Sequence, residues 1–296
     1  MDMKKQIAEG KGFIAALDQS GGSTPKALRG YGVEDHEWSG DDEMFGKIHE
    51  MRSRIITSPC FSNGKVIGAI LFEKTMDGKV DGKTTPQALI DRGIVPFIKI
   101  DKGLEDEGFG GFGGVQLMKP MPDLDALLKR AKGLGVFGTK ERSVINEANA
   151  EGIAAIVKQQ FEIGMQVLRN GLVPMLEPEY SIKAQGRAEG EKMLKDEILK
   201  LLPTVPEGEQ IMLKLSIPVE ANLYAELIEH PKVLAVVALS GGYSTEEACE
   251  KLAKNKGMIA SFSRGLLQDL RAQQSDDEFD DTLSAAIDLI HAASVA

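Results

Sequence analysis

The sequence predicts a single (β/α)8 TIM barrel spanning residues 1–296, and three observations carry that prediction. Eight short apolar runs alternate with longer amphipathic stretches. Most of the runs are rich in Val, Ile, Leu and Ala, as parallel strands buried on both faces require. Almost every run then ends in a charged or polar residue, at the end where a barrel of this kind builds its functional face. An open doubly wound sheet is the competing architecture, but no GxGxxG follows the first run.

The strands are expected at Phe13–Asp18, Val66–Glu73, Val95–Asp101, Gly135–Arg142, Leu172–Glu179, Gln210–Ser216, Val233–Ser240 and Gly257–Arg264. The fourth, GVFGTKER, is the least apolar of them. Between them, helical periodicity runs over Glu43–Thr57, Asp123–Lys132, Glu147–Arg169, Glu189–Leu202 and Thr245–Asn255, with Asp123 and Thr245 as expected N-caps. Strands alternating with helices imply βαβ units, and eight of them suggest closure. Two stretches break the rhythm. The glycine-rich Lys102–Pro122 reads as a long surface loop, and the acidic run Ser275–Asp281 as a solvated turn before a last helix.

At 296 residues and 42% hydrophobic composition the chain can bury a large core. Its net charge of −10 argues against a nucleic-acid binder, but a local basic cleft can still attract an anionic substrate. Two cysteines, Cys60 and Cys249, form no CxxC pair, so a reducing cytoplasmic setting is expected, without disulfides or structural zinc. No window reaches the length of a membrane span, and no signal peptide is apparent. No organic cofactor is signalled, and the oligomeric state is left open.

The strand ends carry the chemistry. They supply Asp18, Glu73, Lys99 with Asp101, Lys140 with Arg142, Glu177 with Glu179, Lys214, Ser240 and Arg264. One polar strand end is usually just the chain leaving for solvent. Here there are eight, and three carry i, i+2 pairs that share one face of a strand. Lys214 lies inside the run IMLKL. A lone lysine there either snorkels to the surface or is held in an apolar mouth, where desolvation and a neighbouring cation such as Lys140 favour the neutral amine. A neutral amine can attack a carbonyl, and Glu177 is a carboxylate able to move protons beside it.

Two loops suit phosphate. Ser240-Gly241-Gly242 follows the seventh strand, and Ser263-Arg264-Gly265 follows the eighth and opens a helix whose N-terminus favours anions, where barrels of this type bind phosphate. Glycines admit backbone N–H groups, and arginine offers a forked donor. A second small-residue loop, Gln19-Ser20-Gly21-Gly22-Ser23 with Lys26 beyond it, follows the first strand. Either loop alone is most often a plain turn; two on one rim suggest two phosphates. None of His36, His49, His230 and His291 lies at an expected strand end. A zinc-dependent route, which needs several histidine ligands, is therefore disfavoured, and no metal site is expected.

These residues, in this order, resemble the class I fructose-1,6-bisphosphate aldolases. The matching stretches are AALDQSGGS (ending at Ser23), PFIKIDKG (96–103), TKER (139–142), GLVPMLEPE (171–179), IMLKLS (211–216), ALSGGYSTEEA (238–248) and SFSRGLLQ (261–268). The resemblance implies that Lys214 forms an imine with the substrate. It makes Glu177, with Glu179 beside it, the proton-transfer carboxylate. Asp18 and Lys140 would handle substrate hydroxyls and the carbinolamine, and Arg142 matches an arginine of the same strand end. Ser240, Gly241, Gly242, Ser261 and Arg264 would form one phosphate site, and Ser20, Ser23, Lys26 and Lys99 the other. The implied partners are sugar phosphates, with no nucleic acid and no membrane.

The chain departs from the longer members in two places. Ala27 stands where they carry an arginine, for which Arg29 is the candidate substitute. Its last residues, His291–Ala296, contain no tyrosine, whereas those members have a functional tyrosine in a C-terminal tail. The resemblance is therefore to shorter, bacterial-type members. The rival readings are another imine-forming sugar-phosphate aldolase or transaldolase, and a non-catalytic sugar-phosphate-binding barrel.

Overall fold

The computed structural model of the protein describes residues 1–62 and 64–296. Eight strands form the barrel wall: β1 Phe13–Leu17, β2 Val66–Leu71, β3 Val95–Lys99, β4 Gly138–Ile145, β5 Val173–Tyr180, β6 Ile211–Ser216, β7 Val233–Leu239 and β8 Met258–Ala260. Each pairs in parallel with its sequence neighbour, in the order β1 through β8. Among the described residues, no ladder joins β8 back to β1. The seam is bridged just past the strand end, where Ala16 N–H donates to Phe262 O at 3.4 Å.

The strand register sorts side chains into an inner and an outer set. Outward residues such as Ala15, Leu17, Ile98, Leu213 and Leu215 pack against the surrounding helices. Inward ones form a second apolar cluster that includes Ile14, Val95, Phe97, Met175, Met212, Val237 and Ile259. Phe97 fills the lower barrel because both flanking strands carry glycine beside its ring. A Cβ on Gly138 would stand 3.0 Å from that ring and 2.3 Å from Val173 O, and one on Gly68 would be 3.1 Å from the ring. Ile7, on α1 (Met3–Glu9), joins this inner cluster.

The helices that bear on the functional face are α2 (Ser23–Gly30), α3 (Gly40–Thr57) and α4 (Glu73–Asp77). Five more follow: α5 (Thr85–Asp91), α6 (Leu124–Gly133), α7 (Ala150–Arg169), α8 (Arg187–Leu201) and α9 (Ala225–Ile228). The last three are α10 (Thr245–Leu252), α11 (Arg264–Leu267) and α12 (Asp276–Ser294). No helix among the described residues is long and apolar enough to cross a membrane.

Several local expectations are corrected. Strand β4 begins three residues later than expected, because Gly135 turns with φ +85° after α6. It also runs on to Ile145, because Val144 and Ile145 gain partners. Those partners are Glu179 and Tyr180 of β5 on one side and, on the other, the expected loop Lys102–Pro122, where Val115–Gln116 pairs antiparallel with β4 and Leu104 bridges to Met118. The acidic run at Ser275–Asp281 is helical rather than a turn. Ser275 and Glu278 form a reciprocal capping box, and Asp276, Asp277 and Glu278 sit in the first turn of α12, where a helix dipole favours negative charge. Ser244, not Thr245, caps α10, and Asp123 makes no side-chain capping bond to α6. Glu73 is not a strand end but opens α4, paired with Lys102 and Arg130.

Candidate active site

One step above the apolar tier, the inward positions change character. Phe97 is followed by Lys99, Gly138 by Lys140, Met175 by Glu177 and Met212 by Lys214. Four strands thus point charged side chains into the barrel mouth, above a floor that excludes water. Lys140 Nζ lies 2.7 Å from Asp18 Oδ2 and 2.8 Å from Glu177 Oε2. Lys214 Nζ lies 3.1 Å from Glu177 Oε1. Lys140, Glu177 and Lys214 are each no more than 4% exposed, and Asp18 only 8%. Each Glu177 oxygen thus faces one ammonium, Oε1 facing Lys214 and Oε2 facing Lys140.

A second tier lies above. Lys99 Nζ donates to Asp101 Oδ1 at 2.6 Å, and Arg142 N–H donates to Asp101 Oδ2 at 3.1 Å. The Arg142 guanidinium pairs with Glu179 at 2.5 Å. Across both tiers the cations Lys99, Lys140, Arg142 and Lys214 balance the anions Asp18, Asp101, Glu177 and Glu179. Burying so many ions costs more than packed hydrocarbon would, so the cluster is not explained by stability.

The carboxyl groups are set by opposing influences. Burial alone would raise Asp18, but the Lys140 and Lys214 ammonium groups outweigh it and hold the group well below the usual carboxylate range. Glu177 is likewise depressed by Lys140 and Lys214 against its burial. Lys140 is pushed well above the ordinary lysine value, because Asp18, Glu177 and Asp101 overcome its desolvation. The resting cluster therefore holds an ammonium between two carboxylates.

The rim differs in sign. Ser240-Gly241-Gly242 follows β7, and Gly241 and Gly242 have φ of +61° and +121°, conformations that side chains disfavour. A Cβ on Gly242 would stand 3.5 Å from Arg264 Nη2, so the glycine backbone and that guanidinium face the same space. Helix α11 is a single turn, so the anion attraction expected of a helix end falls instead to Arg264 and these backbone N–H groups. Ser261 Oγ is buried and has no partner. Across the mouth, Ser23 Oγ donates to Ser20 O at 2.8 Å and closes the loop after β1, and Lys26 stands exposed on α2. Neither Lys26 nor Arg264 has an ion-pair partner among the described residues. Net positive charge is thus concentrated at the rim of an acidic protein.

All fifteen expected site residues line one cavity of about 840 Å³. Asp101, Gln19, Ser263 and Gln268 line it too. Sequence reading placed Asp101 at a strand end without a role, and Ser263 continues the i, i+2 alternation from Ser261. Arg29 does not substitute for the absent arginine: it pairs with Asp35 at 2.8 Å, away from the cavity. None of the four histidines lines the mouth.

A family model described as fructose-bisphosphate aldolase class-I matches residues 2–217, well over half of the chain. Among solved structures, the chain is similar to fructose-bisphosphate aldolase from Plasmodium falciparum, solved with TRAP and a small-molecule inhibitor. That match has a TM-score of 0.75 at 18% identity, covering 99% of this chain and 95% of that one. Weaker matches include the carboxyl transferase domain of pyruvate carboxylase from Rhizobium etli, with a TM-score of 0.47 at 10% identity over 99% and 50% of the two chains. A sugar phosphate isomerase/epimerase from Parabacteroides distasonis gives 0.41 at 12% identity over 94% and 96%. The solved structures speak to the fold, and the family model to descent: the chain belongs to the class I fructose-bisphosphate aldolase family, the metal-independent aldehyde-lyases.

Proposed function

We propose that Lys214 is the imine-forming nucleophile for reversible cleavage of fructose 1,6-bisphosphate to dihydroxyacetone phosphate and glyceraldehyde 3-phosphate, with Glu177 as its proton carrier. The observation that carries this reading is the buried chain of contacts Asp18–Lys140–Glu177–Lys214 at the barrel mouth.

The Lys214 amine adds to the C2 ketone, giving a carbinolamine, which loses water to a protonated imine. Electrons of the C3–C4 bond then flow into the imine, leaving an enamine, while the C4 hydroxyl gives up its proton and glyceraldehyde 3-phosphate departs. Protonation of the enamine at C3 and addition of water release dihydroxyacetone phosphate and restore the amine.

Glu177 is suited to the proton transfers because its affinity changes with the state of Lys214. Two cations hold its pKa down at rest. When Lys214 gives up its proton or becomes a neutral carbinolamine, one cation disappears and Glu177 gains basicity. Oε1, 3.1 Å from Lys214 Nζ, is the oxygen positioned to receive that proton. Asp18, fixed by Lys140, orients the C4 hydroxyl. The rim cations Lys26 and Arg264 and the two serine–glycine loops take the two phosphates, leaving the balanced inner tier for chemistry.

Borohydride reduction in the presence of dihydroxyacetone phosphate tests the assignment. Inactivation with one modified residue, mapped to Lys214, is expected, and activity should persist in EDTA. A chelator-sensitive enzyme restored by zinc, or a modified lysine elsewhere, would reject it.

A further inference from the structure

Arg52 is fully buried on α3 and has no carboxylate in salt-bridge contact among the described residues. Its guanidinium donates from Nη1 to Thr75 Oγ1 at 2.6 Å. From Nη2 it donates to Gln19 O at 2.5 Å and Gln19 Oε1 at 3.2 Å, while Nε has no partner. The anion that offsets its charge is Asp18, one residue before Gln19. A buried arginine with neutral partners is expensive in folding terms, and nothing in the reaction as derived above uses it.

Its effect falls on Gln19. Because a guanidinium can only donate, the Gln19 amide must turn Oε1 towards Arg52. That leaves Nε2 to donate to Ala16 O at 3.2 Å and, in a very short contact, to Ser263 Oγ. Gln19 sits between Asp18 and Ser20, and Ser263 immediately precedes Arg264. One side chain therefore ties the loop after β1 to the loop after β8. It does so across the seam where the barrel has no strand ladder.

We infer that Arg52 is a positioning residue. Acting through Gln19 and Ser263, it sets the spacing between the two phosphate-binding loops and hence the preference for a doubly phosphorylated ketose. The inference rests on the two-phosphate reading above. A lysine cannot replace Arg52, because a single ammonium lacks the planar fork that reaches Thr75 and both Gln19 oxygens.

The test compares kcat/KM for fructose 1,6-bisphosphate and fructose 1-phosphate in the wild type, Arg52→Lys, Gln19→Ala, Ser263→Ala and the Gln19→Ala/Ser263→Ala double variant. The bisphosphate preference should fall by about tenfold or more in Arg52→Lys and Gln19→Ala, in line with loss of charge-assisted and bridging hydrogen bonds. Activity on fructose 1-phosphate, which engages only one of the two loops, should fall by a clearly smaller factor than activity on the bisphosphate in each variant. The double variant should be no worse than its worse single parent, since both break one link. Equal losses on both substrates, or additive losses in the double variant, would overturn the positioning role. A wild type with no bisphosphate preference would instead overturn the two-phosphate reading itself. Should Arg52→Lys fail to fold, the Gln19 and Ser263 variants decide, because they leave the buried cation in place.

Discussion

Lys214 Nζ lies 3.1 Å from Glu177 Oε1, with both side chains at most 5% exposed. A carboxylate this close to the proposed nucleophile is directly positioned to accept the proton that the amine must lose. Replacing it with an amide keeps the shape and removes the proton affinity. Glu177→Gln should therefore lower kcat by at least about 100-fold, the scale of a general acid–base residue. KM should change little. Steady-state kinetics on fructose 1,6-bisphosphate measures both, and an unchanged kcat would move the role to Glu179.

Lys140 is the cation that keeps Asp18 and Glu177 ionised. Both carboxyl groups are depressed in the folded protein, so they stay charged above their low folded values and lose charge only as pH falls through them. In Lys140→Met their burial remains while the main counter-charge is gone. The acid limb of the kcat/KM profile should then move upward by at least about one pH unit, the size of effect an adjacent opposite charge exerts. Stability should fall by roughly 3–5 kcal/mol near neutral pH, the cost of removing one partner of a buried ion pair, and recover partly on acidification. An acid limb that stays in place would mean that Lys140 does not set these groups.

Lys214, Glu177 and Lys140 can be read from sequence because a barrel strand alternates strictly. Once Met212 and Met175 are assigned inward, Lys214 and Glu177 must follow two residues on. The end of β4 and the strand within 102–122 cannot, because Val115 is held by Ile145 and Gln116 by Val144, about thirty residues away, with no local signal of either pairing. Arg52 lies between. It occupies the apolar stripe of α3, four residues after Ile48 and four before Ile56. The periodicity thus marks it as buried, but only the folded chain shows that the loop after β1 is what it meets.

Glu141 presents a stability prediction independent of catalysis. It points outward from β4 into the space beneath α7 and is fully buried. One oxygen accepts from Thr139 Oγ1 at 3.0 Å, and the other has no partner. Burial raises its pKa well above the usual carboxyl value. A raised carboxyl costs nothing while both folded and unfolded states are protonated. It then lowers stability as pH climbs from the unfolded value, about 4.3, toward the folded one, because only the unfolded chain ionises freely. Glu141→Gln removes this dependence. The Tm of the variant relative to wild type should therefore increase as pH climbs above about 5 toward the raised folded value, by roughly 2 °C or more per pH unit given a linkage slope of about 1.4 kcal/mol per unit. A constant difference across that range would show that Glu141 is ionised in the folded protein.

The two phosphate loops can be separated by substrate. Ser240, Gly241 and Arg264 follow β7 and β8, close in order to Lys214 on β6, and should hold the phosphate on C1 beside the imine. Ser20, Ser23, Lys26 and Lys99 follow β1 and β3 and should hold the phosphate on C6. Lys99 is half-committed at rest, since its ammonium donates to Asp101 at 2.6 Å. It must share or leave that partner to reach a phosphate, which places its contribution toward the lower end of the range for a charge-assisted bond, roughly 1.5–3 kcal/mol. Lys99→Ala should accordingly reduce kcat/KM for fructose 1,6-bisphosphate by about tenfold, yet barely affect fructose 1-phosphate, which has no C6 group. Arg264 has no carboxylate to leave, so Arg264→Ala should cost both substrates equally, by about tenfold to 100-fold. The measurement is two variants against two substrates at one ionic strength, since exposed rim charges are screened by salt. Equal losses for Lys99→Ala on both substrates would show that Lys99 does not read the C6 phosphate, and the second site would then have to be built from Lys26 and the serine loop alone.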